Sequence, residues 1–418
     1  MINIQYNNKK LTGTYLLPAS KSISNRLLVM RAMARSKVLF DNLSEAEDTY
    51  MMRLYLSFIN TCAGSEIPLS LDTHNAGTVF RFLLAYLANQ DGRWLLTGEE
   101  RMRQRPVGAL VDALRSLGAD VEYTEKENFP PLLIRGSKLN GGEVHLNASA
   151  SSQYVSALML IAPYLPGGLT IRLETEPVSS AYIDMTATLM RNFGAQVSVS
   201  PKEIQVEEGT YRVEKMRVES DWSAAAFWYE MVAFLPDSSV FLPGLTDESV
   251  QGDRFLIPVF EKLGVRSDFQ DDGLLLTHHG EKAASIDFDF RSAPDIVPSV
   301  MVACAALGVE GKFSGIEHLR IKESDRIRSM QQELGKIGTE ILKEGEVYHL
   351  IPGEKDKVSG ELVFNSHGDH RMAMSLAPLA IPFDSVSIKN PEVVKKSYPD
   401  YWDELEKSAL FSMENLND

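Results

Sequence analysis

Residues 111–125, VDALRSLGADVEYTE, read as a helix that stops at a glycine and continues as alternating apolar and polar residues. Gly118 suits the left-handed position that ends a helix, and the alternation after it suits a hairpin strand. The same pattern returns as MTATLMRNFGAQVSVS (185–200), IPVFEKLGVRSDFQ (257–270) and MQQELGKIGTEILKE (330–344), at intervals of roughly 70 to 76 residues. Four evenly spaced copies are hard to reconcile with an ordinary α/β chain that happens to contain Leu-Gly turns.

Ahead of each copy lies another strand and helix, as in EVHLNAS (143–149), SSQYVSALMLIAPYL (151–165) and GLTIRLE (168–174), so the repeating unit is βαβαββ. Polar helix entrances near Lys21, Asn75, Ser151, Asp221, Pro294 and His370 count six units. The sixth runs out of chain after its second helix, DYWDELEKSAL (400–410), whereas INIQYNN (2–8) and LTGTYLL (11–17) form a hairpin without a unit. Using that hairpin to complete the last unit gives two domains of three units each. Residues 19–220 form one, and 1–18 with 221–418 form the other, discontinuous one. The second-helix end near Asn60 is followed by TCAGSEIPLSLDTH (61–74), too short for a full hairpin, so one unit is abbreviated.

A length of 418 residues also favours two domains. No apolar run of about 18 residues appears and MINIQYNNKK lacks a signal-peptide core, so a soluble, cytoplasmic, membrane-free protein is expected. The net charge of -15 argues against a nucleic-acid partner. Cys62 and Cys304 stand far apart without nearby histidines, so neither a disulfide framework nor a metal site is expected.

Basic and hydroxyl residues gather at helix entrances, where free backbone N–H groups favour anions. Lys21, Ser22 and Arg26 open the first helix; Asn75, as a cap, Gly77 and Thr78 open the second first-helix. Arg101, Arg103 and Arg105 alternate on what reads as an extended segment. Ser149, Ser151 and Ser152 precede Gln153 and Tyr154, and Ser179 and Tyr182 begin the next helix. The second half adds Asp295, then Lys322, Glu323 and Arg326, then His370 and Arg371, then Lys395 and Lys396 at the last helix. Each group alone is an ordinary cap or a solvated charge. Together they suit a site for two phosphates and a carboxylate.

The motifs LPASKSISNR (17–26), NAGTVFR (75–81), LTGEERMRQRPVGALVDALR (96–115), SASSQY (149–154), SSAYID (179–184), IKESDR (321–326), GDHRMAMS (368–375) and KKSYPDY (395–401) closely resemble the 5-enolpyruvylshikimate-3-phosphate synthase family. The resemblance implies a two-domain inside-out α/β barrel that closes over its substrates and works as a monomer without cofactor or metal. It also implies transfer of the enolpyruvyl group of phosphoenolpyruvate to the 5-hydroxyl of shikimate-3-phosphate, on the route to chorismate and aromatic amino acids. By motif, Lys21, Arg105, Arg326, Arg371 and Lys396 would hold phosphoenolpyruvate beside Gly77. Ser151, Ser152, Ser179 and Lys322 would hold the phosphate of shikimate-3-phosphate, with Gln153, Tyr182, Ser22, Arg26, Asn75, Thr78 and His318 as further contacts. Asp295, Glu323, Lys21, His370 and Lys396 are the catalytic candidates. Ala19, Ser220, Phe82 and His318 depart from the family pattern. The alternatives are a sister transferase acting on a UDP-sugar, disfavoured by Ser22 after Lys21, and an inactive paralogue.

Overall fold

The chain is described by a computed structural model at residues 1–59, 67–147, 151–175 and 177–416. It divides into two compact units, Met1–Ser20 with Glu45–Glu47 and Glu219–Asp418, and Lys21–Ser44 with Asp48–Val218. Where the chain passes between them, Pro18–Ser20 and Glu219–Asp221 run side by side. Ser20 N donates to Glu219 O at 2.9 Å and Asp221 N to Pro18 O at 2.9 Å.

Strands β1 (Ile2–Tyr6) and β2 (Thr12–Thr14) open the chain. The 21–218 unit carries β3 (Leu69–Asp72), β4 (Gly92–Thr97), β5 (Asp120–Tyr123), β6 (Leu132–Gly136), β7 (Gly142–Leu146), β8 (Leu169–Leu173), β9 (Val197–Val199) and β10 (Glu203–Val206). The return adds β11 (Ser239–Pro243), β12 (Val265–Gln270), β13 (Gly273–His278), β14 (Ser285–Asp289), β15 (Glu310–Ser314), β16 (Glu340–Glu344), β17 (Val347–Ile351), β18 (Val363–Asn365), β19 (Ser385–Lys389) and β20 (Phe411–Asn415).

Among the described residues these strands make five four-stranded sheets: β3-β4-β6-β5, β7-β8-β10-β9, β2-β11-β13-β12, β14-β15-β17-β16 and β18-β19-β1-β20. In all five the first pair is parallel and the other two are antiparallel. That is what βαβαββ dictates: a helical crossover makes the first pair parallel, and a hairpin then folds back beside the second strand. Gly118, Gly194, Gly264 and Gly338, the four glycines that marked the repeat, have φ of 96°, 84°, 92° and 77°.

The N-terminal segment corrects the sequence reading in two ways. Residues 2–17 are not a hairpin, because β1 lies between β19 and β20 whereas β2 runs parallel to β11 in another sheet. The last copy also does not end after its second helix, Tyr401–Lys407, since β20 follows it. β1 therefore fills one position of the final copy, and β2 supplies the first strand of the copy that begins with helix Trp222–Phe234. The pattern could not show this, because two short alternating segments look alike whether they pair with each other or apart. In the first copy the described residues show only an isolated bridge, Asp41 with Arg217, and no sheet. Of the shortened segment 61–74, residues 61–66, with Cys62, lie outside the described residues, and Leu69–Asp72 is β3 of the next sheet.

Each unit is built around three largely buried helices. Lys21–Met33, Gly77–Ala88 and Ser152–Ile161 pack on one another in the first, and Trp222–Phe234, Val297–Leu307 and His370–Leu376 in the second. Every residue of Gly77–Ala88 except Thr78 is buried, as a helix apolar on all sides requires. The sequence WSAAAFWYEMVAF carries one charge into such a core, Glu230, which is fully buried. Burial pushes its carboxyl well above the ordinary range, against a smaller pull from the Ser299 hydroxyl. Neither Glu230 oxygen has a partner in good hydrogen-bond geometry among the described residues.

A native state that keeps the Glu230 proton loses stability relative to the unfolded chain as pH rises above the normal carboxyl range. Glu230→Met is thus expected to raise unfolding free energy by about 1–3 kcal/mol, since it removes a buried polar group without partners. The gain should be larger near pH 8 than near pH 5. Urea unfolding at both pH values checks it; equal or lower stability of the variant would contradict it.

Candidate active site

In the 21–218 unit, helix entrances carry cations with different surroundings. Lys21 begins helix Lys21–Met33, and its Nζ lies 3.1 Å from Asp48 Oδ2 on helix Glu47–Ile59, both side chains largely buried. Arg26, one turn later, is 2% exposed. Its Nε donates to Thr186 Oγ1 at 2.7 Å, Nη1 to Ser22 O at 2.9 Å, and Nη2 to Ser156 Oγ and Tyr182 O, each at 3.2 Å. It lies over the rings of Phe82 and Tyr182. Burial pulls its pKa down to about 10, against a smaller opposite effect of Tyr182, which still leaves it charged. The sequence offers Arg26 as a substrate contact; in the structure it also holds the carbonyls of Ser22 and Tyr182.

The second entrance is crowded by two guanidiniums. A Cβ on Gly77 would lie 2.6 Å from Arg105 Nη2 and 2.6 Å from Arg81 Nη1. Arg105, 4% exposed, donates to Asn75 O at 3.2 Å and Asn75 Oδ1 at 3.5 Å. Arg81 Nη1 donates to Gly77 O at 3.0 Å. Asn75 is therefore not a cap, the helix beginning after Ala76 without a side-chain cap. Arg101, Arg103 and Arg105 do not alternate on an extended strand either. Glu100–Arg103 is a short helix, where the exposed Arg103 donates to Gly98 O and Glu125, and Arg105 alone of the three is buried.

At the third entrance Ser151 caps helix Ser152–Ile161, its hydroxyl accepting from Gln153 N at 3.2 Å; Ser149 lies outside the described residues. Gln153 Nε2 donates to Thr78 Oγ1 at 2.9 Å. Ser152 and Ser179 are buried, and Ser179 has φ 58°, a strained value for a serine that fits a site residue.

In the other unit the charges condense around one guanidinium. Arg326 begins helix Arg326–Gly335 and is 2% exposed. Its Nη1 donates to Asp295 Oδ1 at 2.9 Å, Nη2 to Glu323 Oε2 at 3.0 Å, and Nε to Asp369 Oδ2 at 2.8 Å. Burial alone would lower its pKa, but Asp369, Glu323 and Asp295 together raise it. Arg371 Nη2 takes the other oxygen of Asp295 at 3.0 Å, so one carboxylate is clamped by two arginines. Lys396 Nζ lies 3.9 Å from Glu323 Oε1.

His370 is 1% exposed, its Nδ1 3.7 Å from Asp369. His318 is also buried; burial and then Lys322 push its pKa down to about 3, so the ring is neutral, and its Nε2 has no hydrogen-bond partner among the described residues. Lys322 and Glu323 lie in the turn ahead of the helix, with Lys322 extended. Lys395 and Lys396 end the turn Pro391–Lys396 rather than opening the last helix, and Lys395 is exposed.

The sequence reading missed Asp48, Asp369, Arg81, Ser156 and Thr186. Asp369 had a legible signal, because it precedes His370 as an N-cap and accepts from Arg371 N at 3.0 Å. Asp48 had none; only the fold sets it against Lys21.

Residues 6–405 match the family described as EPSP synthase (3-phosphoshikimate 1-carboxyvinyltransferase). A 3-phosphoshikimate 1-carboxyvinyltransferase of Bacteroides fragilis is 42% identical over 402 residues, covering 96% of each chain. One from Colwellia psychrerythraea is 35% identical over 419 residues, covering 95% of this chain and 96% of the relative. The structure of EPSP synthase from Acinetobacter baumannii shares the fold, with a TM-score of 0.76 at 23% identity over 99% of both chains. The match of family, motif order and sheet plan leads to one conclusion: the chain belongs to the EPSP synthase family.

Proposed function

We propose that this chain transfers the enolpyruvyl group of phosphoenolpyruvate to the 5-hydroxyl of shikimate-3-phosphate and releases phosphate, using the residues just described. The observation that carries the residue assignment is Asp295, a nearly buried carboxylate held by Arg326 and Arg371. Two directed ion pairs fix both oxygens, which suits a group that must meet one hydroxyl in one orientation.

In the reaction the 5-oxygen bonds to C2 of phosphoenolpyruvate, its proton passing to Asp295, while C3 gains a proton. The C2–O bond to phosphate then breaks as C3 returns a proton. We assign the C3 proton to Lys396, Glu323 or Lys21, and the charge on the departing phosphate to the cations Lys21, Arg105, Arg326, Arg371 and Lys396. Ser151, Ser152, Ser179 and Lys322 are assigned to the phosphate of the acceptor, and Gln153, Tyr182, Ser22 and His318 to its ring. Arg26, Asn75 and Thr78 act through the residues they bond. His370 we place with Asp369, behind the Arg326 group. The reaction as written calls for no cofactor or metal.

No described helix is long and apolar enough to cross a membrane. We take the protein to act in the cytoplasm as a monomer. The test is phosphate release by the purified chain: release with both substrates, and none with either alone, is expected. No release with both would leave the sister transferase acting on a UDP-sugar or a binding protein of this fold.

Gly77 gives a sharper check. Since a Cβ would stand 2.6 Å from Arg105 Nη2, Gly77→Ala must displace that guanidinium. KM for phosphoenolpyruvate should rise about tenfold or more, the worth of one charge-assisted contact, with KM for shikimate-3-phosphate nearly unchanged. Equal effects on both would place Arg105 elsewhere in the reaction.

A further inference from the structure

None of the motifs above includes the turn Gly252–Phe255, yet it sends a carboxyl toward the Arg371–Asp295 pair. Asp253 is 4% exposed. Its Oδ2 accepts from the Ser223 hydroxyl, and that hydroxyl accepts from Arg371 Nη2 at 3.3 Å. The same Nη2 donates to Asp295 Oδ2 at 3.0 Å. Four side chains from four elements thus form one line: Asp253, Ser223, Arg371, Asp295.

The line is built firmly. Gln251, at the foot of the turn, accepts from Trp222 N at 3.1 Å and donates to Ser220 O at 2.8 Å, fastening the turn to the start of helix Trp222–Phe234. Asp221 caps that helix through Ser223 N at 2.8 Å. The charged groups facing Asp253 are Asp295, Arg371 and Asp221, so two acids face it with one cation, which Asp295 already holds. Its Oδ1 is buried with no hydrogen-bond partner among the described residues, a poor setting for a carboxylate. When carboxyls crowd like this, one of them keeps a proton.

We propose that Asp253 is a positioning residue that, by holding or releasing a proton, sets how much of the Arg371 charge is left for the anionic substrate. The proposal rests on the transferase reading above. Burial first, and Asp295 second, push the Asp253 carboxyl up to about 7, with Arg371 and the Ser223 hydroxyl pulling the other way. Below that value Asp253 is neutral and adds no negative charge beside Arg371. Above it the proton goes to solvent, the group gains a negative charge, and Arg371 holds an anion less tightly.

The experiment compares steady-state constants of wild type and Asp253→Asn from about pH 6 to about pH 8.5, a range spanning the expected ionisation. Asparagine keeps the acceptor for Ser223 and cannot ionise. The wild-type KM for phosphoenolpyruvate divided by the variant's is expected to be flat at low pH and to rise roughly three- to tenfold through neutrality. The substrate's own ionisation cancels in this ratio. A ratio that does not change with pH overturns the proposal.

Should Asp253→Asn not fold, Ser223→Ala keeps the carboxyl and cuts its link to Arg371. It should damp the pH dependence of KM for phosphoenolpyruvate, because Asp253 no longer reaches Arg371 through the hydroxyl. Wild-type constants in that variant also overturn the proposal. If wild type itself shows no turnover, the transferase reading fails separately. Carboxyl-carbon NMR then still decides on Asp253: titration near neutrality supports the proposal, and titration in the ordinary carboxylate range ends it.

Discussion

Arg326→Leu is expected to cost about 3–5 kcal/mol of stability, the penalty for removing one partner from a buried ion cluster, and to abolish turnover. The guanidinium contacts Asp295, Glu323 and Asp369 within 3.0 Å, and Asp369 is fully buried. With the cation gone, three carboxylates would face one another around an apolar side chain, and at neutral pH they must repel, take up protons or open the site to water. Adding Asp369→Asn to the variant should therefore recover part of the loss, because the most buried charge disappears. Urea unfolding of wild type, single and double variants reads the effect directly. Independent, additive losses would show that the cluster is not coupled as its geometry requires.

Asp295→Asn is expected to leave the fold intact and lower kcat by about 10²–10⁴, the usual worth of a positioned general base. The amide can still accept from one arginine, but it sets its NH2 against the other and cannot take a proton. Because Arg371 Nη2 also donates to Ser223 at 3.3 Å, it has an alternative partner, and the site should not collapse. Single-turnover measurement of phosphate release separates this chemical defect from weak binding. A kcat within about tenfold of wild type would remove Asp295 from proton transfer.

Much of this was readable in the residues. The positive-φ glycines at 118, 194, 264 and 338 gave away the period, and all six first helices begin where a polar entrance stands. The candidate cations stand out in the sequence because they cluster at those entrances. What the sequence hid depends on three-dimensional pairing. Asp48 meets Lys21, and Asp253 meets Arg371 through Ser223, across separations that carry no periodic signal. The bonds of Arg26 to Ser156 and Thr186 were hidden for the same reason. The N-terminal strands were misread as a hairpin because alternation reports that a strand exists, not which strand it joins.

The separation of β1 from β2 bears on how the molecule is made. During synthesis the 21–218 unit can pack as soon as its own residues emerge, since every strand of its two sheets comes from within it. Strand β1 has no such partners. Asn3 waits for Ser385, 382 residues later, and β20 is made later still. At ordinary ribosomal speeds the wait is on the order of tens of seconds. Strand β1 is thus paired only long after it is made, and until then INIQY is a strand whose backbone groups lack their final partners.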